Sequence, residues 1–163
     1  LLREQPKRFA LFYVRLRGGG GCITNIPGSP SPLVNYSLSK EELALLARGV
    51  KNLSECLLAG GAREVFPNIS PGEAITDSKD VEKLPGTLRS TRTDFSTVHL
   101  FSSCPMGENQ NHCAVDSYGR LHGHEKLYLA DGSILPSSPG VNPQATIMAF
   151  ALRNAEKFLQ TYL

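Results

Sequence analysis

His99 and Asn142 are the two residues whose types and settings suit removal of a proton from an alcohol. His99 stands in Thr97-Val-His-Leu-Phe-Ser-Ser-Cys-Pro-Met-Gly107, where strand formers run into a turn of small residues. Asn142 follows 43 positions later in Gly140-Val-Asn-Pro-Gln-Ala-Thr-Ile-Met148, where Asn-Pro opens a helical pattern. An imidazole, whose ordinary pKa is about 6.5, offers a neutral basic nitrogen at working pH. An asparagine amide can donate a hydrogen bond to the oxygen that gives up its proton. Oxidising the alcohol also releases a hydride from carbon, which no side chain accepts, so this chemistry requires a redox cofactor. Taken alone, Asn142 reads first as a helix cap, for which Asn-Pro is a good start by itself.

Other reactive residues form weaker patterns. His99, Cys104, His112 and Cys113 are metal-type ligands without the short Cys-x-x-Cys or His-x-x-x-His spacing of a zinc site, so no metal is expected. His122 and His124 flank Gly123 near a turn and read as exposed or satisfied histidines. Ser102-Ser103 and Ser137-Ser138 lack the Gly-x-Ser-x-Gly elbow of a serine hydrolase. Gly18 to Gly21 invites a phosphate-cradle reading, but Ile23 and Thr24 stand where the third glycine would be needed, so the run reads as a turn. Cys22, Cys56, Cys104 and Cys113 are too sparse for a disulfide scaffold and are expected as free, partly buried thiols. The three Asn-x-Ser sequons at Asn35, Asn52 and Asn68 read as chance.

The elements that must position His99 and Asn142 follow from periodicity and punctuation. Phe9 to Arg17 is rich in strand formers, and Leu33 to Ser37 predicts a second short strand. Ser39 and Glu42 form a capping box for a helix with apolar positions Leu43, Leu46, Ala47, Val50, Leu53 and Leu57, stopped at Gly60-Gly61. Arg63 to Phe66 suggests an edge strand. Residues 70 to 94 read as a long connection with one helical turn at Ser78 to Lys83. Thr97 to Phe101 has strand alternation, Val115 to His122 fits a hairpin turning at Asp116 to Gly119, and Leu127 to Asp131 is an apolar strand. Asn142 to Tyr162 is an amphipathic helix with Pro143 at its first position.

Composition narrows the function classes. With 40% hydrophobic and 20% charged residues, the 163-residue chain suits one folded domain or two small lobes. A net charge of +2, without clustered basic residues among aromatics, points away from nucleic acid. No apolar run approaches the roughly 20 residues of a transmembrane helix, and the N-terminus has no signal-peptide order. The expectation is a soluble protein, cytoplasmic rather than secreted. The missing initiator methionine suggests a piece of a longer chain.

The His99 segment, the strand running into Asp131-Gly132-Ser133, and the Asn142-Pro143 helix start together resemble the C-terminal part of the glucose–methanol–choline oxidoreductases. The resemblance covers roughly residues 95 to 160 well and the first ninety loosely. It implies FAD as the hydride acceptor, a small-molecule alcohol as substrate, His99 as active-site base and Asn142 as its partner. With it, the catalytic reading of Asn142 takes precedence over the cap. Asp131 and Gly132 match a stretch lying along the flavin's ribityl and phosphate region. Asn142, Pro143 and Gln144 match a segment whose backbone approaches the flavin ring. The family motif is His-x-x-Gly-Thr-x-x-Met-Gly; here Ser102 and Ser103 replace Gly-Thr, while Met106-Gly107 is retained.

The expected fold class is α+β. Residues 1 to 96 would form part of an antiparallel-sheet, substrate-side lobe. Residues 97 to 163 would carry the active-site turn and return a strand and helix to a Rossmann-like FAD-binding domain whose N-terminal half is absent. That missing portion is the expected partner, and the chain alone is expected neither to hold flavin tightly nor to turn over alcohol. A rival reading is a non-catalytic module that keeps the fold to bind a ligand or partner. A second is a Cys/His metal module.

Overall fold

The computed structural model describes residues 8–97 and 99–163. Its elements are β1 (Gly20–Thr24), β2 (Leu33–Ser37), α1 (Lys40–Ala59), α2 (Ser78–Glu82), a 3-10 helix (Gly132–Ile134) and α3 (Gln144–Tyr162). This is a small α+β arrangement in which β1 and β2 form a two-stranded antiparallel sheet. The chain divides into two units, one made of the described residues up to Gly20 together with Ser37–Phe95, the other of Gly21–Tyr36 and Ser96–Leu163.

The first unit is organised by α1. Ser39 Oγ accepts from Glu42 N–H at 3.2 Å, and the Glu42 carboxylate accepts from Ser39 N–H at 2.7 Å, closing the predicted capping box. The same carboxylate accepts from Gly19 N–H at 2.7 Å, tying the incoming chain to the helix start. These two backbone donors hold Glu42 below its ordinary pKa, the Gly19 bond contributing most. Ala47 and Ser54 are buried on α1, and Ser54 Oγ satisfies itself on Val50 O. Ile75, Val81 and Leu88 complete this unit's buried apolar set, and Asp77 caps α2 through Asp80 N–H.

Several expected strands do not form. Phe9 to Arg17 is irregular; Val14 lies against Gly49 of α1, where an added side chain would collide with it, and no strand pairs with the segment among the described residues. The strand begins within the glycine run instead, because β2 supplies the hydrogen-bonding partner. A turn at Ile26-Pro27-Gly28-Ser29 closes this hairpin, with Gly28 at φ 80° and Ser29 N–H donating to Ile26 O at 3.0 Å. Both strands are exposed along their whole length.

In the second unit, Leu127 to Asp131 is not a continuous strand. Isolated bridges join Met106 to Val115, Val115 to Leu121 and Arg120 to Tyr128. Arg63 to Phe66 likewise contributes one bridge, Val65 to Ile75, in the first unit. Thr97 and residues 99–101 are irregular, and Val98 of that predicted strand lies outside the described residues. The physical cause is shared: an extended segment becomes a sheet strand only where a neighbour completes its ladder. The predicted hairpin at 115–122 survives as a turn, with Asp116 Oδ1 accepting from Tyr118 and Arg120 N–H groups. Val115, Ile134 and Leu135 are the buried apolar residues of this unit.

Candidate active site

His99 and Asn142 meet within the second unit. His99 Nε2 lies 3.1 Å from Asn142 Oδ1, so an imidazole and an amide separated by 43 positions are within hydrogen-bond reach. The imidazole tautomer and amide orientation decide which group donates. Both residues are exposed. The N-cap of α3 is Pro143, which makes no side-chain cap hydrogen bond and whose O accepts from Ile147 N–H. The helix therefore starts one residue later than the sequence predicts, with Asn142 turned toward His99.

The turn after His99 is laced to the segment around the 3-10 helix. Cys104 N–H donates to Ser133 O at 3.1 Å, Met106 N–H to Ile134 O at 2.9 Å, and Ser102 Oγ–H to Pro136 O at 3.1 Å. Gly107 has φ 155° and would carry a Cβ 2.6 Å from Cys113 Sγ, so glycine permits this close turn. His122 Nε2 lies 3.0 Å from Gly107 O; the part-buried ring is satisfied by backbone, as its sequence setting suggests.

Asp131 and Gly132 lie close to the same turn. Asp131 Oδ1 accepts from Ser133 N–H at 2.8 Å, and Ser133's hydroxyl and backbone donors hold the Asp131 carboxyl below its ordinary range. A side chain on Gly132 would stand 3.3 Å from both Leu100 O and Ile147 Cδ1 and 3.7 Å from Phe101 Cδ1. Thus Gly132 lets the residues following His99 pack beside α3. Gln144 is exposed at the start of that helix. The structure thus brings Asp131, Gly132 and the His99–Asn142 pair into one network of neighbouring turns.

Sequence reasoning missed two positioning features. Arg153 on α3 donates to Ser117 O and covers the Tyr118 and Phe150 rings at 5.0 and 4.7 Å. Asn154, buried beside it, would be struck by any side chain at Gly119. A buried asparagine on an otherwise apolar helical face was the available signal. No group of three or more His, Cys, Asp or Glu residues forms a metal site among the described residues. Cys22 and Cys56 are exposed and Cys104 and Cys113 half-buried, all four as free thiols. Among the described residues, no helix is long and apolar enough to cross a membrane.

A C-terminal family model described as GMC oxidoreductase matches residues 14–151, and the chain belongs to the GMC oxidoreductase family. It is 44% identical over 150 residues to an uncharacterized GMC-type oxidoreductase, y4nJ, of Sinorhizobium fredii, covering 91% of this chain and 30% of that protein. It is 31% identical over 139 residues to the uncharacterized GMC-type oxidoreductase Rv0492c of Mycobacterium tuberculosis, covering 85% of this chain and 22% of the relative. Long-chain-alcohol oxidase FAO3 of Arabidopsis thaliana is 31% identical over 151 residues, covering 85% and 19% respectively. The chain therefore spans less than a third of the length of these curated relatives.

Proposed function

We propose that this chain carries the active-site C-terminal part of an FAD-dependent oxidoreductase that oxidises CH–OH groups, with His99 as base and Asn142 as its partner. The carrying observation is the 3.1 Å approach of His99 Nε2 to Asn142 Oδ1. FAD is general to the family, and the start of α3 suits an electron-rich ring edge: its first-turn amides have no side-chain cap from Pro143, and Gln144 is exposed beside them. Asn142, Pro143 and Gln144 would approach the ring, and Asp131 and Gly132 the ribityl and phosphate side. FAD, when bound, supplies the two-electron acceptor for the hydride that leaves the alcohol carbon.

The protein's own contribution is at oxygen. A hydroxyl entering beside the pair exchanges the His99–Asn142 bond for two others. Its proton passes to the imidazole, and the Asn142 amide N–H donates to the oxygen as a carbonyl forms. Both side chains are exposed in this chain, and covering them in the complete protein would strengthen these interactions by keeping water from the reacting carbon. The names of the long-chain-alcohol oxidases among the relatives support a CH–OH donor.

The complete reading frame should be purified with flavin and mixed anaerobically with ethanol, 1-dodecanol, benzyl alcohol, choline and glucose. One class should bleach the flavin. His99→Ala should retain flavin yet slow that bleaching by about 10² to 10⁴-fold, the contribution expected of a positioned general base. Equal bleaching rates in the variant and the parent would remove His99 from the mechanism.

A further inference from the structure

We propose that Ser102 is a positioning residue that sets the separation of His99 and Asn142, an inference that rests on the function proposed above. Ser102 has φ 63°, the one positive φ at a non-glycine residue among the described residues. It stands three residues after His99, at the position where the family motif carries glycine. A left-handed backbone there is what glycine adopts without cost and serine does not. The side chain has a use in return: Ser102 Oγ–H donates to Pro136 O at 3.1 Å, across 34 positions of sequence.

Pro136 lies six residues before Asn142. The Ser102 bond is therefore a direct tie from the His99 turn to the loop that delivers Asn142. The neighbouring ties, Cys104 N–H to Ser133 O and Met106 N–H to Ile134 O, are backbone bonds that any side chain at those positions would allow. Of these three ties, the one from Ser102 is the one that depends on a side-chain hydroxyl. Glycine at position 102 would keep the turn and lose the tie; alanine would lose the tie and keep the strained backbone.

These two substitutions separate positioning from general stability. In the complete flavin-loaded protein, Ser102→Gly and Ser102→Ala should both slow anaerobic flavin reduction about 10- to 100-fold, the effect of a small misplacement at a reacting pair. The alcohol used is the one in the panel above that bleaches flavin fastest, and its apparent dissociation constant should change less than threefold, an order-of-magnitude bound for a group acting on the reacting pair rather than on binding. Melting temperatures should diverge, with Ala below Gly, because only glycine relieves φ 63°. In a His99→Ala background, adding Ser102→Gly should have almost no further effect on the rate, since the residue acts through His99. The His99 ring nitrogen resonances in ¹⁵N-histidine-labelled protein should also move in both variants, a readout independent of turnover.

Wild-type reduction rates in both Ser102 variants, with His99→Ala strongly impaired, would overturn the Ser102 proposal and leave the base assignment standing. Rate losses that follow melting temperature instead of the hydroxyl would also overturn it. Unimpaired reduction in His99→Ala, or no bleaching by any alcohol in the panel, would overturn the functional reading and the Ser102 proposal together.

Discussion

Asn142 and Gly119 show how much a single position can carry in this chain. Asn142 was readable from sequence as either a cap or a catalytic partner. Pro143 takes the cap position and Asn142 Oδ1 lies 3.1 Å from His99 Nε2, a choice that depends on a residue 43 positions away. Gly119 sits at φ 82°, and a Cβ there would collide with Leu129 O and lie 2.6 Å from Asn154 Nδ2. Gly119→Ala should therefore destabilise the second unit by about 2 to 4 kcal/mol, combining left-handed strain with overpacking. Chemical denaturation of the complete protein checks this; a midpoint equal to the parent's would mean that Leu129 and Asn154 give way around the added methyl without strain. Sequence marked Gly119 as a turn residue, but its crowding by Asn154 exists only once α3 lies across the turn.

At the scale of elements, helices were legible and strands largely were not. The boundaries of α1 follow from Ser39, Glu42 and Gly60, because capping is local chemistry, and α2 falls on the helical turn expected at Ser78 to Lys83, with its Asp77 cap seen only in the structure. Asp80 adds a pH-dependent clamp on α2. The Lys83 ammonium at 2.7 Å, then the Thr76 backbone and hydroxyl donors at 3.1 Å, hold its carboxyl down to about 2 from 3.8. Because the folded pKa is depressed, this contribution is present above pH 3.8 and is lost as pH falls through about 2. Asp80→Asn should thus lower the urea midpoint of the first unit's unfolding at pH 6 and lower it far less at pH 2. A deficit of the same size at both pH values would assign the loss to packing instead of charge. The strands at Phe9–Arg17 and Leu127–Asp131 failed for a different reason: their apolar patterns are genuine, but a ladder needs a neighbour that local sequence does not specify.

At the scale of the whole molecule, α3 is apolar on two sides. Ile147 and Asn154 face their own unit, while Met148 and Leu152, each 63% exposed, and Leu159 continue a second stripe through Ala145 and Ala155. Met148, Leu152 and Leu159 are already partly covered, so completing their burial would return about 1 to 2 kcal/mol each. The relatives are more than three times as long as the matched region, which is enough polypeptide to supply that cover. The chain expressed alone should bind an apolar-surface dye strongly and self-associate in sedimentation, and the complete reading frame should do neither. Substituting Met148 and Leu152 by Gln should suppress both behaviours in the isolated chain. A monomeric, dye-free isolated chain would show that this stripe is harmlessly solvated.

Sequence by itself determined the helices to within a residue or two, the Ser39–Glu42 cap of α1, the turn at Asp116–Gly119 and the residue types of the candidate site, because each rests on contacts within a few positions. Only tertiary structure decided that Asn142 faces His99, that Ser102 takes a left-handed turn to reach Pro136, and that most apolar extended segments remain unpaired. Those outcomes depend on groups tens of positions apart. Their partners are chosen by packing geometry, which periodicity along a chain does not encode.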